Sequence, residues 1–183
     1  MTVIDRLFAV RALKSRIAER RERMYKIAFA WCGERHLADD LVQETMTRAM
    51  DKSGQLRDPS RLDSWLYSIL NNCWREHLRA RRPNVDLDDR ELECTRCPER
   101  INASSELAER VIALMALLPE GQRQVLALVA LEEFSYREVA ETLDIPIGTV
   151  MSRLSRARRF LADRLSAENG PAETSRPHLR NVK

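Results

Sequence analysis

The part of the sequence that most constrains the fold is residues 134–164, where two helical patterns flank a short break. Ser135 is a good N-cap, and Glu138 three positions later can complete a capping box, so a first helix is predicted over Tyr136–Leu143. The segment 144–146 ends that helix, because its proline has no amide proton and pushes the preceding residue out of the helical region. A second helix follows directly. Two helices joined by a tight turn are typical of a helix-turn-helix.

The second helix of this motif is apolar on one side and basic on the other. Its apolar residues recur at helical spacing and predict the buried face: Val150, Leu154, Ala157 and Leu161. The other side carries the arginines Arg153, Arg156, Arg158, Arg159 and Arg164. Ser152 and Ser155 share that side and are short enough to contact phosphates or base edges in a groove. A basic face can be ordinary solvated surface, but the clean apolar face and the small Ala140 of the first helix favour DNA binding.

The composition of the chain limits its possible fold classes and locations. A chain of 183 residues forms one domain or two small ones, and five glycines with few β-branched runs argue against sheets. No apolar run approaches the roughly 20 residues that span a membrane. The N-terminal segment is charged from Asp5 onward and has no signal-peptide core. We therefore expect an all-α protein without membrane insertion, located in the cytoplasm.

The net charge of +3 is unevenly distributed. Residues 1–83 hold 17 Lys/Arg and 11 Asp/Glu, a net of +6, whereas residues 84–110 hold 4 and 8, a net of −4. Residues 111–183 hold 10 and 9, a net of +1, with their arginines concentrated in the second helix of the motif. Two basic regions separated by an acidic connector indicate two contacts with a polyanion.

The four cysteines offer little chemistry. In a cytosolic chain they are expected as free thiols, with Cys32 and Cys73 packing on helical patterns. Cys94 and Cys97 have half of a zinc-ribbon spacing, but no second pair of ligands follows, so no metal and no cofactor is predicted. A redox pair, or a metal shared with another chain, remains open. No Ser/His/Asp, phosphate-loop or metal-ligand constellation occurs in the sequence, so no catalytic residue and no enzymatic activity are predicted.

The N-terminal part predicts a series of helices. Residues 3–33 have the apolar spacing of one long helix or two broken ones, with Gly33 as C-cap. The next helix is predicted over 37–52. Its exposed side groups four acidic or polar residues, Asp39, Asp40, Gln43 and Glu44. On the residues alone, this cluster is explained by the helix macrodipole and needs no partner.

A third helix is predicted over 60–81, after a loop at 53–59. It interleaves aromatic, amide and basic residues: Trp65, Asn71, Trp74, Arg75 and Arg79. Because bases stack on aromatic rings while cations hold the phosphates, this pattern suits single-stranded nucleic acid. The tryptophans can equally be core residues. We expect Trp74 to be at least half core, and Trp65 to be the ring that faces DNA.

The C-terminal part begins after Pro83, which ends the third helix. Residues 83–103 are acidic and have no sustained periodicity, which predicts a flexible linker. Two more helices are predicted within 104–131, the second starting at Pro119. With the helix-turn-helix they would form a four-helix domain. The tail, 167–183, is expected to be disordered.

Five segments, in this order, resemble one family, the bacterial extracytoplasmic-function sigma factors. They are A-D-D-L-V-Q-E-T (38–45), S-W-L-Y-S-I-L-N-N (64–72), L-P-E-G-Q-R-Q-V-L (118–126), S-Y-R-E-V-A-E-T-L (135–143) and I-P-I-G-T-V-M-S-R-L-S-R-A-R (145–158). The resemblance implies two small helical domains, a region 2 bundle over 1–82 and a region 4 domain with the helix-turn-helix over 104–166, joined by the linker. The function it implies is promoter-specific initiation of transcription by RNA polymerase.

By the same resemblance, each surface has a partner. Four residues would dock on the clamp helices of the largest polymerase subunit: Asp39, Asp40, Gln43 and Glu44. The polymerase flap region is a further implied contact. Loop 53–61 and helix 60–82 would open the −10 element as single strand, with one base flipped into a pocket beside the loop. The residues implied there are Trp65, Asn71, Arg75 and Arg79.

The helix-turn-helix would enter the major groove of the duplex −35 element. The residues implied in this contact are Thr149, Ser152, Arg153, Ser155, Arg156 and Arg158. Small sigma factors of this family are commonly held inactive by an anti-sigma factor, so the resemblance also implies such a partner.

Two departures from the family pattern bear on specificity. Where larger members have two adjacent tryptophans, this chain has Trp65-Leu66, which suggests weaker melting and stricter promoter choice. Met151 stands where many relatives have a basic residue, so one groove contact is lost or made apolar. The resemblance covers regions 2 and 4, so family domains one and three are expected to be absent. The 20 residues 83–102, at about 3.3 Å per extended residue, could span up to about 65 Å, enough for separate docking on two promoter elements.

Two other interpretations remain open. One is a stand-alone helix-turn-helix regulator, which would bind duplex operators tightly without polymerase. The other is a redox- or metal-responsive regulator built on Cys94 and Cys97. The sigma-factor interpretation accounts better for the segments 38–45 and 64–72.

Overall fold

The structure, a computed structural model, describes residues 3–56, 58–81, 111 and 113–168, with side chains for those between 11 and 166. Throughout these residues the regular elements are helical, which confirms the all-α prediction. The α-helices are α1 (Val3–Glu19), α2 (Arg21–Cys32), α3 (Arg35–Asp51), α4 (Leu62–Arg81), α5 (Glu120–Leu131), α6 (Tyr136–Leu143) and α7 (Ile147–Glu168). Short 3₁₀ turns at Ser53–Gln55 and Pro59–Arg61 lie in the loop between α3 and α4.

Several predicted features lie outside the described residues. They are the linker 83–103, the Cys94/Cys97 pair, most of the helix expected before Pro119, and the tail from residue 169. Of that helix, residue 111 and residues 113–116 are described, and they are helical. The rest of these features stay predictions.

The N-terminal periodicity resolves into two helices that break at Arg20. At the far end of α2, Gly33 takes the left-handed conformation, with φ 71°, and its N–H donates to the Phe29 carbonyl oxygen at 2.8 Å. This confirms the predicted C-cap. Because glycine adopts this conformation without a Cβ penalty, the chain turns at once into α3.

Helices α2, α3 and α4 pack around one core. Its almost completely buried side chains include Met24, Ile27, Trp31, Val42, Leu66 and Leu70. Burial of each aliphatic side chain contributes about 1.5–3 kcal/mol relative to exposure. Cys32 and Cys73 are buried free thiols in this core, which confirms their predicted packing role. Burial raises the pKa of the Cys32 thiol to about 11, so it stays protonated at neutral pH.

The helix-turn-helix forms as predicted. Ser135 caps α6, because its side-chain oxygen accepts from the Glu138 N–H at 3.3 Å while the Glu138 carboxylate accepts from the Ser135 N–H at 2.8 Å. Asp144 ends α6 in the left-handed conformation, with φ 55°, and its N–H donates to the Ala140 carbonyl oxygen. The chain then passes Pro146 and enters α7. Helices α5, α6 and α7 pack on one another around a second set of buried residues: Val125, Leu128, Val139, Val150, Leu154 and Ala157.

The two groups of helices also touch each other. α5 packs against α2, and α6 packs against α4. In the loop after α5, Phe134 meets Tyr67 of α4 edge to face, with ring centroids 5.5 Å apart. Aromatic pairs favour this geometry. We call this packing of α5 and α6 on α2 and α4 the closed arrangement.

The capping box can be tested by Ser135→Ala. The variant is expected to lose about 1 kcal/mol of unfolding free energy, within the roughly 0.5–2 kcal/mol found for lost caps. Urea unfolding of the full chain measures the loss. The hydrogen bond from Ser135 holds the pKa of Glu138 below its ordinary 4.5, so the wild-type advantage should persist above that pH and fade as the pH falls further.

The control for this test is Ser166→Ala. Ser166 is exposed within α7 and caps no helix. Because alanine is the better helix former, this variant should lose no stability. Equal stability of Ser135→Ala and wild type would contradict the capping role.

Candidate nucleic-acid interface

The outer face of α7 is polar, basic and open to solvent. Ser152, Ser155, Arg156 and Arg158 are exposed, and Thr149 is partly buried at the first turn. The Ser152 hydroxyl donates to the Thr149 carbonyl oxygen at 3.0 Å. Val150, Leu154 and Ala157 face the core, as the spacing predicted. Five of the six residues predicted for the −35 element are thus placed away from the buried face of this helix.

The sixth, Arg153, lies elsewhere. Its guanidinium rests against the start of α5, where a Cβ atom added at Gly121 would lie 2.8 Å from the Arg153 Cζ atom. Arg159, by contrast, is exposed and follows Ser152 and Ser155 at helical spacing. The sequence analysis did not distinguish these two arginines, and the contact of Arg153 with α5 depends on tertiary packing. Helical spacing could still have singled out Arg159, because it lies on the side of α7 opposite to the buried Val150 and Leu154.

Helix α4 carries a second polar face. Trp65, Arg75 and Arg79 recur at helical spacing, with the exposed Asn72 between them. Trp65 and Arg75 are half-buried, and Arg79 is exposed. Trp74 is buried, as expected, and its ring N–H donates to the Glu120 carboxylate at 2.8 Å. The sequence analysis did not select Asn72 as a site residue.

Asn71 differs from the other residues predicted for the −10 element. It is buried, and its side-chain oxygen accepts from the Gln124 amide of α5 at 3.3 Å. The closed arrangement therefore covers this residue. Its DNA contact stays a prediction that requires α5 to move away from α4.

A cavity of about 300 Å³ lies beside the loop between α3 and α4. On one side it is lined by Trp65 and Ser68 of α4 together with loop residues that include Gln55 and Leu56. On the other side it is lined by Glu141 and Thr142 of α6. The Arg61 guanidinium lies 3.7 Å from the Glu141 carboxylate at this rim. The cavity is where the sequence analysis placed a base pocket, and α6 forms part of its wall.

The acidic residues of α3 are largely grouped on one exposed side. Asp40, Gln43 and Glu44 are exposed there. Asp39 lies to one side and pairs with Arg21 at 2.9 Å. Glu44 pairs at 2.7 Å with Arg48, whose guanidinium also binds Glu76 of α4. The hydrogen bond from Arg48 lowers the pKa of Glu76, so this tie between α3 and α4 is charged at neutral pH.

An ion pair between distant parts of the chain lies in the closed arrangement. Arg23 of α2 binds Glu132, whose side chain is only 2% exposed, at the end of α5. Arg23 also lies 3.8 Å from Asp63 of α4. Burial lowers the pKa of Arg23, but its hydrogen bond to Glu132 and the surrounding carboxylates outweigh this, so the net shift is upward. The sequence analysis missed this pair, because its partners are 109 residues apart and Arg23 belongs to a charged run.

The described part of the chain contains no group of three or more His, Cys, Asp or Glu residues placed to hold a metal ion. None of its helices combines the length and apolarity needed to cross a membrane.

These features define a class of protein. A basic helix-turn-helix lies next to a helical bundle with its own aromatic and basic face, which is the layout of a DNA-binding protein with two contact surfaces. Residues 17–83 match the family Sigma-70 region 2, and residues 108–161 match Sigma-70, region 4.

Individual relatives agree with these matches. The chain is 34% identical to the ECF RNA polymerase sigma factor EcfG of Rhodopseudomonas palustris, over 81% of this chain and 84% of that protein. It is similar to the sigma factor RpoE of Bartonella quintana, crystallised with the anti-sigma factor NepR, at 26% identity and a TM-score of 0.60 over 87% and 92% of the two chains. It is also similar to CnrH in complex with the cytosolic domain of CnrY, at 25% identity and a TM-score of 0.63 over 88% and 95%.

The chain therefore belongs to the extracytoplasmic-function sigma factors, as its sequence motifs had indicated. It is an RNA polymerase sigma factor with the two helical domains of that family, region 2 and region 4. Its function is the promoter-specific initiation of transcription.

The role of Glu132 in the closed arrangement can be tested by Glu132→Gln. The variant loses the charge that balances Arg23, which is expected to cost about 1.5–3 kcal/mol of the contact between the two groups of helices, the range for hydrogen bonds to charged groups. Small-angle X-ray scattering of the full chain should then show a larger radius of gyration.

The matched control is Glu133→Gln, at the neighbouring exposed position. It makes the same chemical change without touching the ion pair and should scatter like wild type. An unchanged radius of gyration and unchanged stability in Glu132→Gln would contradict the role given to Glu132.

Proposed function

We propose that the outer face of α7 reads the duplex −35 element, while α4 and the loop before it capture the single-stranded −10 element. The observation that carries the proposal is the exposed basic face of α7, the second helix of the helix-turn-helix, which begins directly after the turn that follows the capped helix α6. Arg156 and Arg158 supply groups that bind guanine edges or phosphates, and Ser152 and Ser155 leave the groove sterically open.

Capture of the −10 element would use the face that contains Trp65, Arg75 and Arg79. Trp65 lines the cavity beside the loop, so its ring would stack on a base next to one that has entered the loop side of the cavity. The arginines further along α4 would hold the phosphates. The wall formed by α4 and the loop, with Trp65, Ser68, Gln55 and Leu56, would receive the base once α6 has moved away.

Binding to core polymerase would use the exposed acidic side of α3. Asp40, Gln43 and Glu44 present charge and hydrogen-bond acceptors on one side of the helix. Asp39 would join them only if its pair with Arg21 exchanges. The proposed partner surface is the pair of clamp helices in the largest polymerase subunit, with the flap region as a second contact for region 4.

The closed arrangement has to open for the −10 contacts to form. It covers Asn71, and residues of α6 line the cavity. We infer that a protein able to hold regions 2 and 4 together would keep this sigma factor inactive. A relative with a similar structure was solved with an anti-sigma factor, which supports an anti-sigma partner here. The protein would act without catalysis of its own, in the cytoplasm and at the nucleoid.

The polymerase contact can be tested by Asp40→Arg. Reversal of one charge in the acidic patch is expected to weaken binding to core polymerase at least about tenfold, as for other close charge pairs at interfaces. Fluorescence anisotropy with labelled sigma factor measures the affinity. Asp51→Arg makes the same change at the other end of α3 and should keep wild-type affinity. Equal affinity of Asp40→Arg and wild type would rule out the proposed patch.

The −35 contact can be tested by Arg156→Ala. The loss of one guanidinium on the groove face is expected to cost about 1–3 kcal/mol at its cognate base pair and to relax preference there. Competition between promoter variants for the polymerase holoenzyme measures that preference. Arg164→Ala, near the far end of α7, should change affinity for all variants alike. An unchanged −35 preference in Arg156→Ala would refute this role.

A further inference from the structure

Two large apolar side chains are exposed at the beginning of α7. Ile147 is 50% exposed and Met151 is 54% exposed. They are four residues apart, so they lie one above the other on the same side of the helix. A single exposed apolar residue needs no explanation. An adjacent pair on the helix that carries the DNA-binding arginines does need one.

This pair belongs to the same exposed strip as the polar candidates. Ser155 and Arg158 follow Met151 at spacings of four and seven, and both are exposed. The strip therefore runs from an apolar end at Ile147 to a basic end at Arg158. A surface that touches the polar end of this strip also meets its apolar end.

Gly148 lies between Ile147 and Met151, in the first turn of α7. Glycine is unfavourable in helices, by about 1 kcal/mol relative to alanine in a helix interior. A Cβ atom at position 148 would meet nothing within 4 Å, and the backbone there does not have a positive φ. No feature of the described chain requires glycine at this position. Its remaining effect is to leave the outer surface of the first turn clear, which suits the close approach of a bound partner.

The charge of the side chains around Ile147 and Met151 indicates the kind of partner that this surface binds. Arg156, Arg158 and Arg159 are exposed beside the pair and favour a polyanion. In a helix-turn-helix, residues near the N-terminus of the second helix contact base edges in the major groove. The apolar group offered by that groove is the C5 methyl of thymine.

We propose that Met151, assisted by Ile147, is a specificity-determining residue that recognises a thymine methyl group in the −35 element. The inference rests on the proposed −35 role of α7. It assigns to this end of the helix an apolar readout, which complements the hydrogen bonds of Arg156. Gly148 provides the clearance that brings the thioether side chain against the base.

The test uses the holoenzyme formed from the full chain and core polymerase. Its preferred −35 element is first selected from a library randomised at those positions. Each thymine of the selected element is then replaced by deoxyuridine, which removes only the C5 methyl group. One such replacement is expected to weaken binding about 3- to 5-fold, the effect of returning one methyl group to water.

Met151→Ala should abolish this sensitivity, so that thymine and deoxyuridine bind the variant equally. Met151 is exposed, and circular dichroism checks that the variant keeps its helices. Leu117→Ala is the control, because Leu117 is also 54% exposed but lies outside α7. This variant should distinguish the two bases as wild type does.

The outcomes separate this inference from the proposed function. A selected element without thymine, or equal methyl sensitivity in wild type and Met151→Ala, overturns the inference. The apolar pair would then be assigned to a protein partner. If Arg156→Ala still changes −35 preference in that case, the proposed function stands alone. Failure of the holoenzyme to select any −35 sequence defeats both.

Discussion

The buried carboxylate of Glu132 is the constraint on which the closed arrangement depends. Removal of a carboxylate from water costs several kcal/mol unless a cation and hydrogen bonds replace the water. Arg23 of α2 supplies both, and it is itself close to Asp63 of α4. Two carboxylates and one guanidinium therefore connect α2, α4 and the end of α5. Because Arg23 reaches Glu132 only when α5 lies against α2, this pair favours one relative position of the two domains.

The interface around this ion pair contains buried polar side chains. Gln122, Arg123 and Gln124 of α5 are buried, and Gln124 bonds to Asn71. Groups of this kind can be rehydrated when an interface opens, so separation would not expose a purely apolar surface. The two surfaces proposed to bind DNA are affected differently. The outer face of α7 is open, whereas the surfaces proposed for the −10 element are partly covered. The closed arrangement thus fits a protein that melts DNA only after its domains separate.

The features that the sequence predicted correctly are local ones. The Ser135–Glu138 capping box, the stop before Pro146 and the Gly33 cap each depend on residues within a few positions of one another. The buried face of α7 follows in the same way from helical spacing. These patterns, together with the family motifs, were enough for the fold class and for most of the exposed candidates.

The features that the sequence did not predict depend on contacts between distant segments. Arg23 belongs to a run of charged residues, and only the position of α5 makes it the partner of Glu132. Asn71 was predicted to contact DNA, but in the structure its side chain accepts a hydrogen bond from Gln124 of α5. Tertiary packing decides both of these cases, and no local pattern records it. For Arg153 and Arg159, helical spacing from Val150 and Leu154 separates the two positions, but the contact of Arg153 with α5 at Gly121 depends on tertiary packing.

The central claim is that the closed arrangement opens when polymerase is bound. It is tested most directly by the distance between the domains in solution. Ala12→Cys and Asp163→Cys place labels on exposed positions of α1 and α7, with Cys94→Ser and Cys97→Ser to remove competing thiols. Cys32 and Cys73 are buried and can stay. Single-molecule energy transfer should be high in the free protein and fall when core polymerase is added. Unchanged transfer in a holoenzyme that initiates transcription would contradict the account.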